Sequence, residues 1–288
     1  MSGRITSHLS VASVVAALSL AASASPAAAS VTIGQTAPSA PSSSIATCDL
    51  CDLVQATLVS SNSYVVPANG TITSWSSYAS SNGGMLEMKI FRPLGGMTYM
   101  AVSHEGPRTL SPSALNTFTG LSVPVKAGDV LGDGTPASAG GPAAIFQGVP
   151  GDQNLFRDAL ADGASGAFLD DDPGFRVNIS AVLNPTNSFT SGAVTRNKKK
   201  GTATLAFNLP NPGDLSGSGQ GAQVATTRAV TSKAVPAGVA TLVVKAKGKK
   251  RRKLNQKGKV KLNLAIKYTP TAGDPSTQSV TVKLMKKV

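Results

Sequence analysis

Val260-Lys-Leu-Asn-Leu-Ala-Ile-Lys-Tyr268 is the stretch on which the fold turns. Val260, Leu262, Leu264, Ile266 and Tyr268 alternate with Lys261, Asn263, Ala265 and Lys267. A two-residue period puts the first set on one face of a strand and the second on the other, so the segment predicts a strand with one face in a core and one in water. The same period recurs on both sides of it. Ala203, Leu205, Phe207 and Leu209 share a face, as do Ala240, Leu242 and Val244, and then Val280, Val282 and Leu284. With Asp214–Ser218 and 222–230 added, six or seven strands fit between residues 187 and 288, the number and spacing of an immunoglobulin-like β-sandwich without its Cys-Trp-Cys core.

Toward the N-terminus the pattern continues in a second unit, residues 48–186. Leu86, Met88 and Ile90 oppose Glu87 and Lys89. Leu121, Val123 and Val125 alternate with Ser122 and Pro124, and Phe175, Val177, Ile179, Ala181 and Leu183 alternate with Arg176, Asn178 and Ser180. Turn-forming clusters separate these runs, among them Pro67-Ala-Asn-Gly70, Asn82-Gly-Gly84 and Asp172-Pro-Gly174. The expectation is all-β: a jelly-roll-like sandwich followed by the immunoglobulin-like one. Asn184–Ser188 is the expected hinge, and Trp75, the one tryptophan, is expected in the first core.

Ahead of both units, residues 1–29 combine Arg4, an apolar run from Leu9 to Ala22 and the small-residue site Ala27-Ala28-Ala29. That is the pattern of a secretory signal peptide, with an apolar core too short for a spanning helix. Residues 30–47, rich in Ser, Thr, Pro and Ala, are expected to be a disordered linker. The mature protein is therefore expected to be secreted and extracellular, without transmembrane insertion, and attached to a cell surface only non-covalently.

The 288 residues carry a formal net charge of +13, very unevenly spread. From Ser30 to Phe189 there are 6 Lys/Arg against 12 Asp/Glu; from Thr190 to Val288 there are 20 against only Asp214 and Asp274. Such a positive field attracts anionic polymers. Its densest part is Gly248-Lys-Lys-Arg-Arg-Lys-Leu-Asn-Gln-Lys-Gly-Lys259, between two alternating segments. Mutual repulsion predicts an extended, solvated hairpin loop, and Lys247, Lys249, Lys250, Arg251, Arg252, Lys253, Lys257 and Lys259 are the candidate polyanion-binding residues. No aromatics are interleaved, so sequence-specific reading of nucleic acid is not expected. Cell wall, acidic polysaccharide and extracellular DNA fit the charge. Lysines that only keep a sheet edge soluble are the alternative.

Cys48-Asp-Leu-Cys51 holds the only two cysteines. An exported chain favours a structural disulfide over redox chemistry, and too few partner ligands exist for zinc. Asp170-Asp171-Asp172 could offer oxygens to Ca²⁺, although no Ca²⁺-loop spacing accompanies them. An enzyme is not expected. Ser103-His104-Glu105 are neighbours in a strand and point to opposite faces, and Gly163-Ala-Ser165-Gly-Ala167 lacks the last glycine of a nucleophile elbow. A secreted hydrolase using the acidic loops is the remaining catalytic possibility.

Taken together, Lys198-Lys-Lys-Gly-Thr-Ala-Thr-Leu205, Pro212-Gly-Asp-Leu-Ser-Gly-Ser-Gly219, Val244-Lys-Ala-Lys-Gly-Lys-Lys250, Leu254-Asn-Gln-Lys-Gly-Lys259 and Tyr268-Thr-Pro-Thr-Ala-Gly-Asp274 resemble a basic immunoglobulin-like module. It occurs at the C-termini of secreted proteins of soil actinobacteria of the Solirubrobacter type. Tyr64-Val-Val-Pro67, Gly70-Thr-Ile-Thr-Ser-Trp75 and Val125-Lys-Ala-Gly-Asp-Val-Leu-Gly132 resemble the β-sandwich that precedes it there. The family has no assigned activity. The resemblance implies a two-sandwich fold and an extracellular address, and it transfers no functional residue.

Overall fold

The structure is a computed structural model and describes residues 30–42, 49–60, 63–226 and 237–288, with the side chains of 170–172 and 225–226 outside the description. The expected signal peptide lies outside the described residues.

The chain is nearly all strand. In order, the first half gives β1 (Val31–Gln35), β2 (Cys51–Thr57), β3 (Gly70–Tyr78), β4 (Gly84–Gly95), β5 (Thr98–Leu110), β6 (Leu115–Val125) and β7 (Val130–Thr135). It continues with β8 (Ile145–Gln147), β9 (Gln153–Asp158), β10 (Ser165–Ala167), β11 (Leu169–Pro173), β12 (Phe175–Val177) and β13 (Ile179–Pro185). The second half gives β14 (Thr190–Asn197), β15 (Thr202–Leu209), β16 (Gly213–Ser218), β17 (Ala222–Thr226) and β18 (Gly238–Ala246). Then come α1 (Gly248–Lys257), β19 (Lys259–Pro270) and β20 (Ser276–Met285).

Two hydrophobic clusters organise these strands. One runs in sequence from Ile33 to Leu183 and lies between a four-stranded sheet, β1-β13-β3-β6, and a seven-stranded sheet, β10-β5-β4-β7-β2-β9-β11. Trp75 is fully buried in it, its ring 4.5 Å from that of Phe118. The other cluster runs from Phe189 to Leu284, between β14-β15-β18-β17 and β16-β19-β20. There the two-residue period is obeyed closely: Val260, Leu262, Leu264, Ile266 and Tyr268 of β19 are buried and the residues between them are not. The Tyr268 Oη–H donates to the Asn211 carbonyl, and burial pushes its phenol up to about 12. Where the halves meet, Asn69 N–H donates to the Asn211 side-chain carbonyl at 2.6 Å, and Asn211 Nδ2 donates to the carbonyls of Asn69 and Thr186.

Three expectations need correction here. Residues 30–47 are not a plain spacer, because Val31–Gln35 pairs with β13 and buries Ile33; its β-branched residues supply an inward face that the surrounding Ser/Pro composition hides. Phe175–Leu183 is two strands, not one. Asn178 interrupts it, buried and bonded through its side chain to Ala37 N–H and to the carbonyls of Tyr78 and Ala143, so β12 pairs with β8 while β13 joins the other sheet. Lys89 does not face water. Its side of β4 is covered by residues 159–168, and the lysine is buried.

Candidate polyanion-binding face

The cationic run is helical, which overturns the extended loop. Lys, Arg, Leu and Gln all favour helix. Leu254 supplies the anchor: it is the one buried residue of α1, and it packs into the second hydrophobic cluster for about 1.5–3 kcal/mol of burial. Gly258 ends the helix in the left-handed conformation, φ 63°, that only glycine adopts cheaply. These local terms outweigh repulsion between side chains whose charged ends spread into water.

The N-terminus of α1 is built against the usual rules. Lys247 stands at the cap position without a side-chain cap bond, and the first turn contains no acid. Lys249, Lys250 and Arg251 sit there instead, beside the positive end of the helix dipole, at a cost of about 0.3–1 kcal/mol for each such charge. All the candidate cations from Lys247 to Lys259 are exposed except Lys250, which is half-buried.

Folding brings further cations to this end of the sandwich. Lys247 N–H donates to the Gly221 carbonyl, Lys286 N–H to the Gly258 carbonyl and Lys287 N–H to the Lys198 carbonyl, tying three distant segments together. On one side of α1 a cleft of ≈ 440 Å³ is lined by Lys200, Lys245, Arg251, Asn255 and Lys286. On another, ≈ 410 Å³ is lined by Lys250, Lys253, Lys259, Lys261 and Lys283. Lys261 and Lys283 stand directly opposite each other across β19 and β20, a like-charge pairing that destabilises a sheet. Sequence reading singled out 247–259 and missed Lys200, Lys245, Lys261, Lys283 and Lys286 as members of the same face. For Lys245, Lys261 and Lys283 the available signal was lysine at outward positions of strands whose pairing partners were unknown; Lys200 and Lys286 lie just outside strands and carried no such signal.

Among the described residues, no acid is paired with these charges. Asp214 pairs in register with Thr269, near the far end of β19, and the Asp274 carbonyl accepts from Asn187 beside the junction. Ten residue steps along the strand separate Lys259 from Thr269, about 33 Å, several times the screening length at physiological salt. The aromatics of this half offer no stacking surface: Phe189, Phe207 and Tyr268 are buried and pack edge to face.

The other candidate residues do not converge on a reactive centre. His104 is exposed, with Nδ1 3.0 Å from both Asp162 oxygens. Ser103 Oγ is buried without a partner among the described residues, and Glu105 turns to Arg108 and the Trp75 indole. Although burial would raise Glu105, those two partners hold its carboxyl below the ordinary value. Cys51 is disulfide-bonded and its Sγ lies 3.0 Å from Thr135 Oγ1; Cys48 lies outside the described residues. The side chains of Asp170, Asp171 and Asp172 also lie outside them. Among the described residues, no three His, Cys, Asp or Glu side chains are grouped as metal ligands, and no helix is long and apolar enough to cross a membrane.

No protein-family profile matches the chain, and no curated protein or solved structure is significantly similar to it.

Proposed function

We propose that this is a non-catalytic extracellular binding protein that adheres to anionic envelope or matrix polymers through the cationic end of its C-terminal sandwich. The observation that carries this is convergence: three sequence-distant basic segments meet around α1, with the only two acids of that half near the opposite end. A sheet and a helix that each tolerate unfavourable charge placement fit a surface whose repulsion is relieved by a partner. The strand order β14-β15-β18-β17 against β16-β19-β20 corresponds to the ABED and CFG sheets of a constant-type immunoglobulin sandwich and supports that assignment. The secretory leader pattern and the disulfide at Cys51 support an oxidising, extracellular address.

A polymer of this kind is held by counterion release, so its affinity depends steeply on salt. Binding of the intact chain to heparin and to polyphosphate is expected to weaken about a thousandfold between 50 and 200 mM salt, the range for six or more phosphate contacts. Replacing Lys249, Arg251 and Arg252 by Glu together is expected to abolish it at physiological salt. Binding that ignores salt, or that survives this triple variant, sinks the proposal. Because Lys283 lies on the edge strand β20, lysines that merely prevent edge-to-edge pairing are the second reading. That reading predicts no binding in either buffer.

A further inference from the structure

In the first half it is the interior that carries a feature of this kind. Lys89 of β4 and Asp52 of β2 are both buried, on strands separated only by β7. The residue between them on β7 is Gly134, where an added Cβ would come within 2.6 Å of Lys89 Cδ and 3.1 Å of Asp52 Oδ1. The glycine leaves a channel along which the lysine crosses β7. Its Nζ reaches Asp52 Oδ1 at 2.6 Å and donates to the Leu160 carbonyl at 2.8 Å, while Leu160 N–H donates to Asp52 Oδ2 at 2.8 Å.

We propose that Lys89 and Asp52 join in an intramolecular amide bond across β7, a covalent cross-link formed by the folded chain itself.

Hydrogen-bond inventory favours the product. A buried ammonium has three hydrogens to place. Two have acceptors, Asp52 and Leu160; among the described residues the third has no further acceptor, and the ring of Phe91 lies with its centroid 5.9 Å from Nζ. A buried ion pair left partly unsatisfied is costly. The amide has one N–H and one carbonyl oxygen, which match the Leu160 carbonyl and N–H. Burial also pushes the Asp52 carboxyl above its ordinary value despite Lys89, which favours the protonated acid that amide formation requires.

The step balances without any co-reactant. Proton transfer from Nζ to Oδ1 gives an amine and a carboxylic acid. The amine lone pair attacks Cγ, forming the C–N bond, and the displaced π electrons rest on Oδ2, where Leu160 N–H stabilises them. Transfer of a second proton from nitrogen to the Oδ1 hydroxyl lets the C–Oδ1 bond break with departure of water, and Oδ2 becomes the amide oxygen. Glu87, on the Lys89 side of β4 and in register with Gly134 as Asp52 is from β2, is the further carboxylate placed to relay that proton. Its charge acts on Asp52. The geometry supplies proximity and orientation, the main requirements for a reaction between two otherwise sluggish groups.

Glutamate-specific cleavage tests this directly. Glu87 and Glu105 are the only glutamates, so cutting after Glu87 severs the backbone between Asp52 and Lys89. In the purified, reduced and denatured wild-type chain, the fragment ending at Glu87 is expected to remain attached to Met88–Glu105. The joined mass should be lighter than their sum by one water. Lys89→Arg, checked for folding by near-ultraviolet circular dichroism, is expected to release the two separately. Glu87→Gln is expected to slow formation, read from the intact mass over time. Separate wild-type fragments of full mass overturn the proposal and leave an ion pair; so does a joined Lys89→Arg product. Since wild-type protein alone is decisive, failure of a variant to fold does not obscure the result.

Discussion

Asp133 departs from the ordinary rule that a buried carboxylate is paired. Both carboxylate oxygens are buried without a hydrogen-bond partner among the described residues, and burial, reinforced by Asp52, raises its carboxyl well above the ordinary value. A raised carboxyl stays neutral to higher pH in the folded protein than in the unfolded chain, where it ionises near pH 4. The sign follows: its contribution is fully present below about pH 4 and is lost as pH rises toward the folded-state value, by up to about 1.4 kcal/mol per pH unit. Asp133→Asn removes that loss. The variant is expected to be more resistant to urea than wild type at pH 7, with the advantage shrinking to nothing near pH 4. A difference that is the same at every pH would show that Asp133 does not titrate in this way. Neither Asp133 nor Lys89 was legible from sequence. Alternation assigns a residue to a face, but whether that face meets water depends on what packs over it, and residues 159–168 cover Lys89 from far along the chain.

Among elements, those that follow one period over many residues were legible. β15, β18, β19 and β20 turn the residues that their alternation marks into the second cluster, all of them buried except Val280, which is partly buried. α1 was not legible. Its cations argued for an extended loop, and the cap and acidic first turn that announce a helix are missing. What forms it is a set of good helix formers anchored by one leucine and stopped by one glycine. Leu254→Ala is therefore expected to cost about 2–5 kcal/mol, the range for emptying a buried leucine site. Lys249→Glu is expected to stabilise by about 0.3–1 kcal/mol, because an acid in the first turn complements the dipole. Thermal melts of the two variants check both signs. A lysine-to-glutamate change that lowers the melting temperature would show that the basic first turn is held by contacts other than those described.

At the scale of the whole molecule, the sequence made the division of charge plain but not its direction in space. Net charge separates residues 30–189 from 190–288, whereas only the strand order shows that lysines from the β14–β15 turn, α1 and the end of β20 meet at one extremity. Crowding like charges opposes folding, so a polyanion that binds this end must stabilise the fold by the affinity it gains there. At a ligand concentration a hundred times its Kd, that is about 2.7 kcal/mol. For a unit near 100 residues, each kcal/mol moves the melting temperature by about 4–8 °C. Polyphosphate at low salt is thus expected to raise the melting transition of wild type by about 10 °C or more, and to leave the triple glutamate variant where it was. Sodium chloride should act in two opposed ways. Alone, it screens the crowded lysines and raises the transition slightly; with polyphosphate present, it competes for the same charges and lowers it. A surface evolved only for solubility would show the first effect without the second, since it has no partner for salt to displace.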